Sequence, residues 1–141
     1  MRVEEVMSKA TGCRQGDTVQ NCARMMKEQN IGFVPICDAQ GKPIGAVTDR
    51  DLAVRVLADG RGANEKIDAF MTKEIVSCRI GDDVGDAERL MREQRKSRIM
   101  ICDQQGKLQG VISLQDLAES TDDQSVGQTV QNVKSDRPGA H

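Results

Sequence analysis

Residues 36–42 read ICDAQGK, and residues 101–107 read ICDQQGK. A shift of 65 positions extends this match in both directions, so that residues 13–53 overlay residues 78–118 without a gap and nineteen of 41 positions are identical. Solenoids and propellers repeat with shorter periods of about 20–50 residues. We therefore expect two related halves of one compact unit, packed face to face, with two similar clefts between them.

Composition argues against several classes of protein. The 141 residues suffice for one domain, whereas a half of about 60 residues would be marginal alone. A net charge of −2 and the absence of Trp and Tyr argue against nucleic-acid binding. No apolar run approaches the roughly 18 residues of a membrane span, and the N-terminus lacks the apolar stretch of a signal peptide. We expect a cytoplasmic protein without membrane contact.

The five cysteines favour a structural role. There is no C-x-x-C spacing and a single histidine, His141, which argues against a zinc site and predicts no bound metal. Cys13 matches Cys78 and Cys37 matches Cys102 across the repeat, among apolar neighbours. Such thiols are typical of small buried side chains in a reducing cytosol. The alternative is a redox sensor, which would need an exposed cysteine of low pKa.

Each half has a pattern that predicts strand, helix, strand, strand, helix. In the first half we expect the strands Thr11–Cys13, Phe33–Cys37 and Ile44–Thr48, with helices that begin after Asp17 and at Asp49. In the second half we expect the strands Val76–Cys78, Ile99–Cys102 and Gly110–Ser113, with helices that begin after Asp82 or Asp83 and at Leu114. The apolar face of the first helix consists of Val19, Cys22, Ala23 and Met26. This order predicts a mixed α/β fold.

The repeat and the linker composition divide the chain into three segments. Residues 1–64 are the first repeat with its linker, and residues 65–120 are the second repeat, opened by a short helix over residues 65–71. Residues 121–141 form a polar tail. In that tail Val126, Val130 and Val133 line one face of a predicted short helix before a disordered end.

The side chains suited to ligand binding or chemistry lie where the last strand of each half leads into a helix. Residues 45–52 read GAVTDRDL, and residues 110–117 read GVISLQDL. A hydroxyl at the helix start and a carboxylate three residues later face the same way, beside free N–H groups that attract anions. A nucleotide fits these groups, with its phosphate on Thr48 or Ser113 and its ribose hydroxyls on Asp51 or Asp116. A bound phosphate would also offset the unfavourable position of Arg50 in the first helical turn.

A plain structural role competes with this interpretation. The spacing [ST]-x-x-[DE] is also that of a helix capping box, which needs no ligand, and the spacing alone favours neither interpretation. Arg50 fits an ordinary solvated charge equally well. Gly45 and Gly110 lean slightly towards a site, because glycine lets a ligand or another backbone come close.

The sequence resembles tandem cystathionine-β-synthase (CBS) domains over residues 3–120. The resemblance rests on VMS at residues 6–8, FMT at residues 70–72, Pro35 before the ICD triplet, the Gly41 turn, and the G-h-h-[ST]-x-x-D motif that closes each half. The TDRD sequence at residues 48–51 is similar to that of small stand-alone CBS-pair proteins.

This resemblance implies a pseudo-symmetric pair of β-α-β-β-α repeats, often called a Bateman module, and a ligand such as AMP, ADP, ATP or S-adenosylmethionine. It implies that ribose lies on Asp51 and Asp116, and phosphate near Thr48 and Ser113. The adenine base is expected against the leading strand and the strand after the first helix, here Thr11, Val34 and Pro35 in the first half and Ser77, Ile99 and Met100 in the second.

The two halves differ at the expected sites. Leu114 and Gln115 replace Asp49 and Arg50, so we expect weaker phosphate binding in the second half, partly compensated by Arg98. The expected function is a non-catalytic regulatory module that requires no cofactor and acts through a homodimer or an effector protein. An enzyme that acts on a nucleotide, a scaffold with empty clefts and a thiol redox sensor remain the alternatives.

Overall fold

The computed structural model describes residues 1–120, which divide into two compact units. The first unit contains residues 11–75, and the second contains residues 1–10 together with residues 76–120. Each unit is a sheet with helices, which confirms the predicted mixed α/β class with two repeats. The predicted helix at Val126, Val130 and Val133 lies outside the described residues.

Seven strands and five α-helices make up the described chain. The strands are β1 (Ser8–Lys9), β2 (Cys13–Arg14), β3 (Phe33–Cys37), β4 (Pro43–Thr48), β5 (Ser77–Arg79), β6 (Arg98–Cys102) and β7 (Leu108–Ser113). The α-helices are α1 (Val3–Val6), α2 (Val19–Gln29), α3 (Asp49–Asp51), α4 (Val84–Gln94) and α5 (Leu114–Ser120). A π-helix over Leu52–Leu57 continues α3, and a 3₁₀ turn covers Ile67–Ala69.

The two sheets share one topology. The first unit has strand order β2-β3-β4, with β2 parallel to β3 and β3 antiparallel to β4. The second unit repeats this arrangement with β5, β6 and β7, and adds β1 antiparallel to β7 at the edge. The β3–β4 turn is held by Asp38, whose Oδ1 accepts from the N–H groups of Gln40 and Lys42. Asp103 does the same in the β6–β7 turn, which confirms both predicted hairpins.

Each unit has its own apolar core between helix and sheet. On α2 the predicted face is correct for Val19, Cys22 and Met26, which are buried, and wrong for Ala23, which is exposed. The matching face of α4 buries Val84, Ala87 and Met91. These residues pack on the helix-facing side of the strands, where alternate residues of β3 and β6 point inward.

The segment that opens each sequence repeat packs in the unit built mainly from the other repeat. Val3 N donates to Asp82 O at 2.9 Å in the second unit, and Ile67 N donates to Asp17 O at 2.8 Å in the first. Both Val3 and Ile67 are fully buried. The predicted boundary at residue 64 separates the sequence repeats, whereas the compact units divide at residues 10/11 and 75/76 because of this exchange.

A carboxylate fixes each exchanged segment on a turn. Glu4 Oε1 accepts from Gly81 N at 2.9 Å, and Asp68 Oδ1 accepts from Gly16 N at 2.8 Å. Gly81 and Gly16 have φ angles of 98° and 90°, a conformation that glycine adopts without steric cost. The same contact therefore holds the equivalent segment in both units.

The glycines at the start of the junction motif serve this docking. An ideal Cβ on Gly110 would lie 2.5 Å from Met7 Sδ and 2.7 Å from the main-chain oxygen of Ser8. One on Gly45 would lie 2.8 Å from both Met71 Sδ and the Thr72 oxygen. The close approach that glycine allows here is therefore that of a backbone and a methionine.

Three local expectations are wrong. Thr18, not Asp17, caps α2, because its hydroxyl accepts from Asn21 N at 3.1 Å while Asp17 accepts from Arg14 N in the preceding turn. The helix expected over residues 65–71 shrinks to the single 3₁₀ turn, because the segment docks through extended main-chain contacts. The leading strands begin later than predicted, at Cys13 and Ser77, where pairing with β3 and β6 starts.

Replacement of Gly110 by alanine tests the docking contact. We expect Gly110→Ala to lower the free energy of unfolding by about 1–3 kcal/mol, because the new methyl group must displace Met7 and the Ser8 main chain. Urea unfolding measures the change. Gly62→Ala is the matched control, because nothing lies within 4 Å of its Cβ position, and it should stay within about 0.5 kcal/mol of wild type. Equal stability of the two variants would contradict the packing argument.

The carboxylate contact predicts a dependence on pH. The N–H of Gly81 holds the pKa of Glu4 below its ordinary value of 4.5. The folded state therefore binds this proton more weakly than the unfolded state, so the contribution of Glu4 is complete above the unfolded pKa and is lost as pH falls through the folded pKa. Glu4→Gln should therefore flatten the decrease in stability as the pH falls below about 5, where first the unfolded and then the folded carboxyl takes up its proton. Glu28→Gln, on the exposed side of α2, should retain the wild-type slope in urea unfolding.

Candidate functional site

The first junction is closed by two reciprocal hydrogen bonds. Thr48 N donates to Asp51 Oδ2 at 2.9 Å, and Asp51 N donates to Thr48 Oγ1 at 3.2 Å. Both residues are buried, with exposed fractions of 8% and 7%. The predicted capping box is therefore present, and it fixes both side chains in one geometry.

The second junction has the same geometry in a more open setting. Ser113 N donates to Asp116 Oδ2 at 2.8 Å, and Asp116 N donates to Ser113 Oγ at 3.2 Å. Ser113 and Asp116 are half-buried. The duplication has thus preserved the hydrogen-bond pattern while the second junction stays closer to solvent.

The strands bring the expected base-contacting residues next to each junction. In the first unit Phe33 pairs with Thr48, so that Val34 and Pro35 follow one and two residues along the neighbouring strand. Gly12, next to Thr11, approaches this strand so closely that a Cβ there would clash with the main-chain oxygen of Pro35. The first set of predicted residues therefore belongs to one unit.

The second set is arranged in the same way. Ser77 pairs with Met100 between the parallel strands β5 and β6, and Met100 N donates to Val76 O at 3.0 Å. Ile99 lies between Met100 and Arg98, and Arg98 pairs with Ser113 on β7. All these residues lie in the second unit.

The side chains of these strand residues have different surroundings. Val34 and Ile99 are fully buried members of the two apolar cores. Only their main chains remain for contact with a ligand. Pro35 and Met100 alternate with them on the opposite sheet faces and are also buried, whereas Thr11 and Ser77 are exposed.

The charges near the two junctions differ. The side chain of Arg50 is exposed in the first turn of α3, and the main-chain N–H of Arg50 donates to Asp49 Oδ1 at 2.8 Å. Gln115 has the equivalent position in α5. Arg98, which pairs with Ser113 across the strands, places its Cβ on the same sheet face as that serine. The first unit therefore carries its arginine two residues after the motif hydroxyl, and the second carries one opposite the hydroxyl on the neighbouring strand.

Two glycines at the first junction escaped the sequence reasoning. Gly12 allows the close approach to Pro35, and Gly32 O accepts from Asp49 N at 3.0 Å while its Cβ position lies 2.8 Å from Asp49 Oδ2. In the second unit Ser97 O accepts from Leu114 N at 3.1 Å, which matches the bond between Gly32 and Asp49. The signal in the sequence was a small residue, Gly32 or Ser97, one position before each strand that pairs with the junction.

Two features are absent from residues 1–120. In this part of the chain no three or more His, Cys, Asp or Glu side chains are grouped so that they could hold a metal ion. No helix there combines the length and apolar character needed to cross a membrane.

Comparison with known proteins identifies the family. A family model described as the CBS domain matches residues 3–58 and again residues 67–122. The chain belongs to the CBS domain family. The CBS domain-containing protein YhcV of Bacillus subtilis is 35% identical to this CBS pair over 117 residues, which are 82% of each chain.

Solved structures of CBS pairs share the fold. The CBS domain pair of protein MJ0100, solved with 5′-methylthioadenosine and S-adenosyl-L-methionine, has a TM-score of 0.72 and 22% identity, and the match covers 84% of this chain and 94% of that one. CBSX2 in complex with AMP has a TM-score of 0.69 and 20% identity, with the same coverage. At this level of identity the likeness shows the fold.

The capping box at the first junction of this CBS pair predicts a change in stability. Thr48→Val keeps the shape of the side chain but removes the acceptor of Asp51 N, so we expect a loss of about 0.5–2 kcal/mol in the free energy of unfolding. Thr48→Ser keeps the hydroxyl and should lose less. Urea unfolding of both variants compares them directly, and equal stabilities would show that the hydroxyl contributes nothing as a cap.

Proposed function

We propose that the protein is a non-catalytic regulatory module that binds adenosine-containing ligands at its two strand-to-helix junctions. Membership of the CBS domain family supports this proposal. Two solved structures with this fold contain AMP in one case and 5′-methylthioadenosine with S-adenosyl-L-methionine in the other, and these ligands suggest the ligand class. The observation that carries it is the hydroxyl–carboxylate pair, found with one geometry in both units.

The capping box and ligand binding are compatible because they use different atoms. Asp51 gives Oδ2 to the cap, which leaves Oδ1 to accept a ribose hydroxyl. Thr48 Oγ1 accepts from Asp51 N, and its own O–H remains as a donor to phosphate. The same division applies to Asp116 and Ser113 in the second unit. The cap would thus hold the binding groups in place before the ligand arrives, which lowers the entropic cost of binding.

The rest of each proposed site would recognise adenine through a strand pair. Pro35 and the main chain of Val34 would face the base in the first unit, with Thr11 at the edge. Met100, the main chain of Ile99 and Ser77 would do so in the second. Arg50 would contact a phosphate in the first site. We propose that the second site prefers a ligand of lower charge, since Gln115 replaces that arginine and Arg98 contributes only from the neighbouring strand.

Signalling would follow from a difference in affinity between two states. A ligand can shift a conformational equilibrium only as far as it binds one state more tightly than the other. We propose a homodimer or an effector protein as the recipient. Val54 and Leu57, which are 46% and 76% exposed one helical turn apart, offer an apolar surface for a second copy. We also propose a cytoplasmic location, which the five buried thiols support.

Substitution of Asp51 by asparagine tests the proposed ribose contact. In Asp51→Asn the amide oxygen of the new side chain can still accept from Thr48 N, so the fold should survive, but the site loses its second acceptor oxygen. We expect the affinity for AMP to fall by about tenfold or more, which corresponds to about 1.4 kcal/mol. Isothermal titration calorimetry with AMP, ATP, S-adenosylmethionine and 5′-methylthioadenosine measures it.

Asp83→Asn is the matched control for this experiment. Asp83 caps α4 through Gly85 N at 2.8 Å, so the same chemical change falls on a helix cap outside the junctions. This variant should bind AMP as the wild type does. Wild-type protein that binds none of the four compounds would instead support the ligand-free scaffold, and turnover of ATP would support an enzyme.

A further inference from the structure

Two thiols meet inside the core of the first unit. Cys13 on β2 is 2% exposed and Cys22 on α2 is 0% exposed, and both belong to the same apolar cluster. Cys22 stands on the buried face of α2, and Cys13 shares its sheet face with Ile36, so both thiols point into this one core. Cys13 Sγ also lies 4.0 Å from the Sδ of Met25, the residue one turn after Cys22 on the helix. The sulfur of Cys13 therefore lies against the part of α2 that carries Cys22 and Met25.

The second unit lacks this arrangement although it shares the frame. Cys78 is the counterpart of Cys13, but Ala87 and Leu90 stand where the first unit has Cys22 and Met25. Cys22 beside it lowers the pKa of Cys13 from its ordinary value, whereas burial raises the pKa of Cys78 to about 11. The matched thiols of the two units therefore differ in their neighbours, with a second thiol in the first core and an alanine in the second.

Other partners for Cys13 are excluded by the pleat of the sheet. Cys13 pairs with Ile36 in the parallel register, so both side chains lie on the face that α2 covers. Arg14 pairs with Cys37, so Cys37 lies on the opposite face. Cys22 is therefore the thiol within reach of Cys13 in this unit.

Access to the pair is through the edge of the sheet. In the described chain β2 is only two residues long, lies at the edge of its sheet and pairs with β3 alone. Short edge elements open with a lower free energy than the whole protein unfolds. Met25, which contacts Cys13, is itself only partly buried. A local opening of this edge would expose Cys13 to a small oxidant without global unfolding.

We propose that Cys13 and Cys22 form a reversible redox pair that closes to an intramolecular disulfide on exposure to a peroxide. The Cys13 thiolate attacks one peroxide oxygen, the O–O bond breaks, and the other oxygen takes a proton and leaves as water or an alcohol. The sulfur of Cys22 then attacks the sulfenic sulfur of Cys13, the S–O bond breaks, and the oxygen leaves as water with the Cys22 proton. A small dithiol restores both thiols by disulfide exchange and becomes a disulfide itself.

The experiment uses the whole folded chain and hydrogen peroxide. After oxidation, free thiols are blocked with N-ethylmaleimide and the protein is digested with trypsin, which cuts after Arg14 and so separates the two cysteines into different peptides. We expect residues 10–14 and 15–24 to remain joined, with the mass loss of two hydrogen atoms. Dithiothreitol should release them.

Two variants decide the assignment. Cys22→Ala carries the residue that the second unit uses at the matched position, and it should form no linked peptide and accumulate over-oxidised Cys13. Cys78→Ala should give the wild-type yield of linked peptide. Absence of the linked peptide in wild type, or equal yields of Cys13 linked to Cys37 or to a second chain, would overturn the proposal. None of these outcomes depends on nucleotide binding, so the proposed function is tested separately.

Discussion

The contact on which the structure depends is the docking of each leading segment onto a glycine of the other repeat's sheet. Met7 and the Ser8 main chain lie against Gly110, and Met71 and Thr72 lie against Gly45, at distances that leave no room for a Cβ. A repeat of about 60 residues would be only marginally stable alone, because it buries a small fraction of its surface. Each leading segment also contributes buried side chains to the other repeat's core, Val3 in one unit and Ile67 in the other, so neither core is complete without the exchange.

This docking defines what the junction motif can do. The motif glycine holds the exchanged segment, which leaves the hydroxyl and the carboxylate as the groups with chemistry to offer. The capping box holds Thr48 and Asp51 in one geometry and stabilises the helix that follows. A fixed pair of this kind is a good starting point for a binding site, since little conformational entropy remains to be lost. The structural role of this pair is therefore compatible with the proposed binding role.

The duplication preserved the main-chain frame and let the side chains diverge. The strand registers and capping distances of the two units agree closely. The first unit has Arg50 at its junction and the thiol of Cys22 in its core, and the second has Gln115 and Ala87 at these positions. Such substitutions leave packing largely intact because they replace side chains of modest size or exposed groups. Two similar units can thus acquire different chemistry within one fold.

The sequence by itself determined the hairpins, the helical faces and the junction motif. Phe33–Cys37 was predicted to the residue, because apolar runs between turn residues such as Asp38 and Gly41 depend only on local preferences. Only the tertiary structure decided that Thr18 caps α2 instead of Asp17. Both residue types cap helices well, and the choice between neighbours depends on the backbone conformation at each position. The tertiary structure also decided which unit receives each leading segment. Pairing Ser8 with Val111 joins residues about a hundred positions apart, and local periodicity carries no information about such long-range contacts.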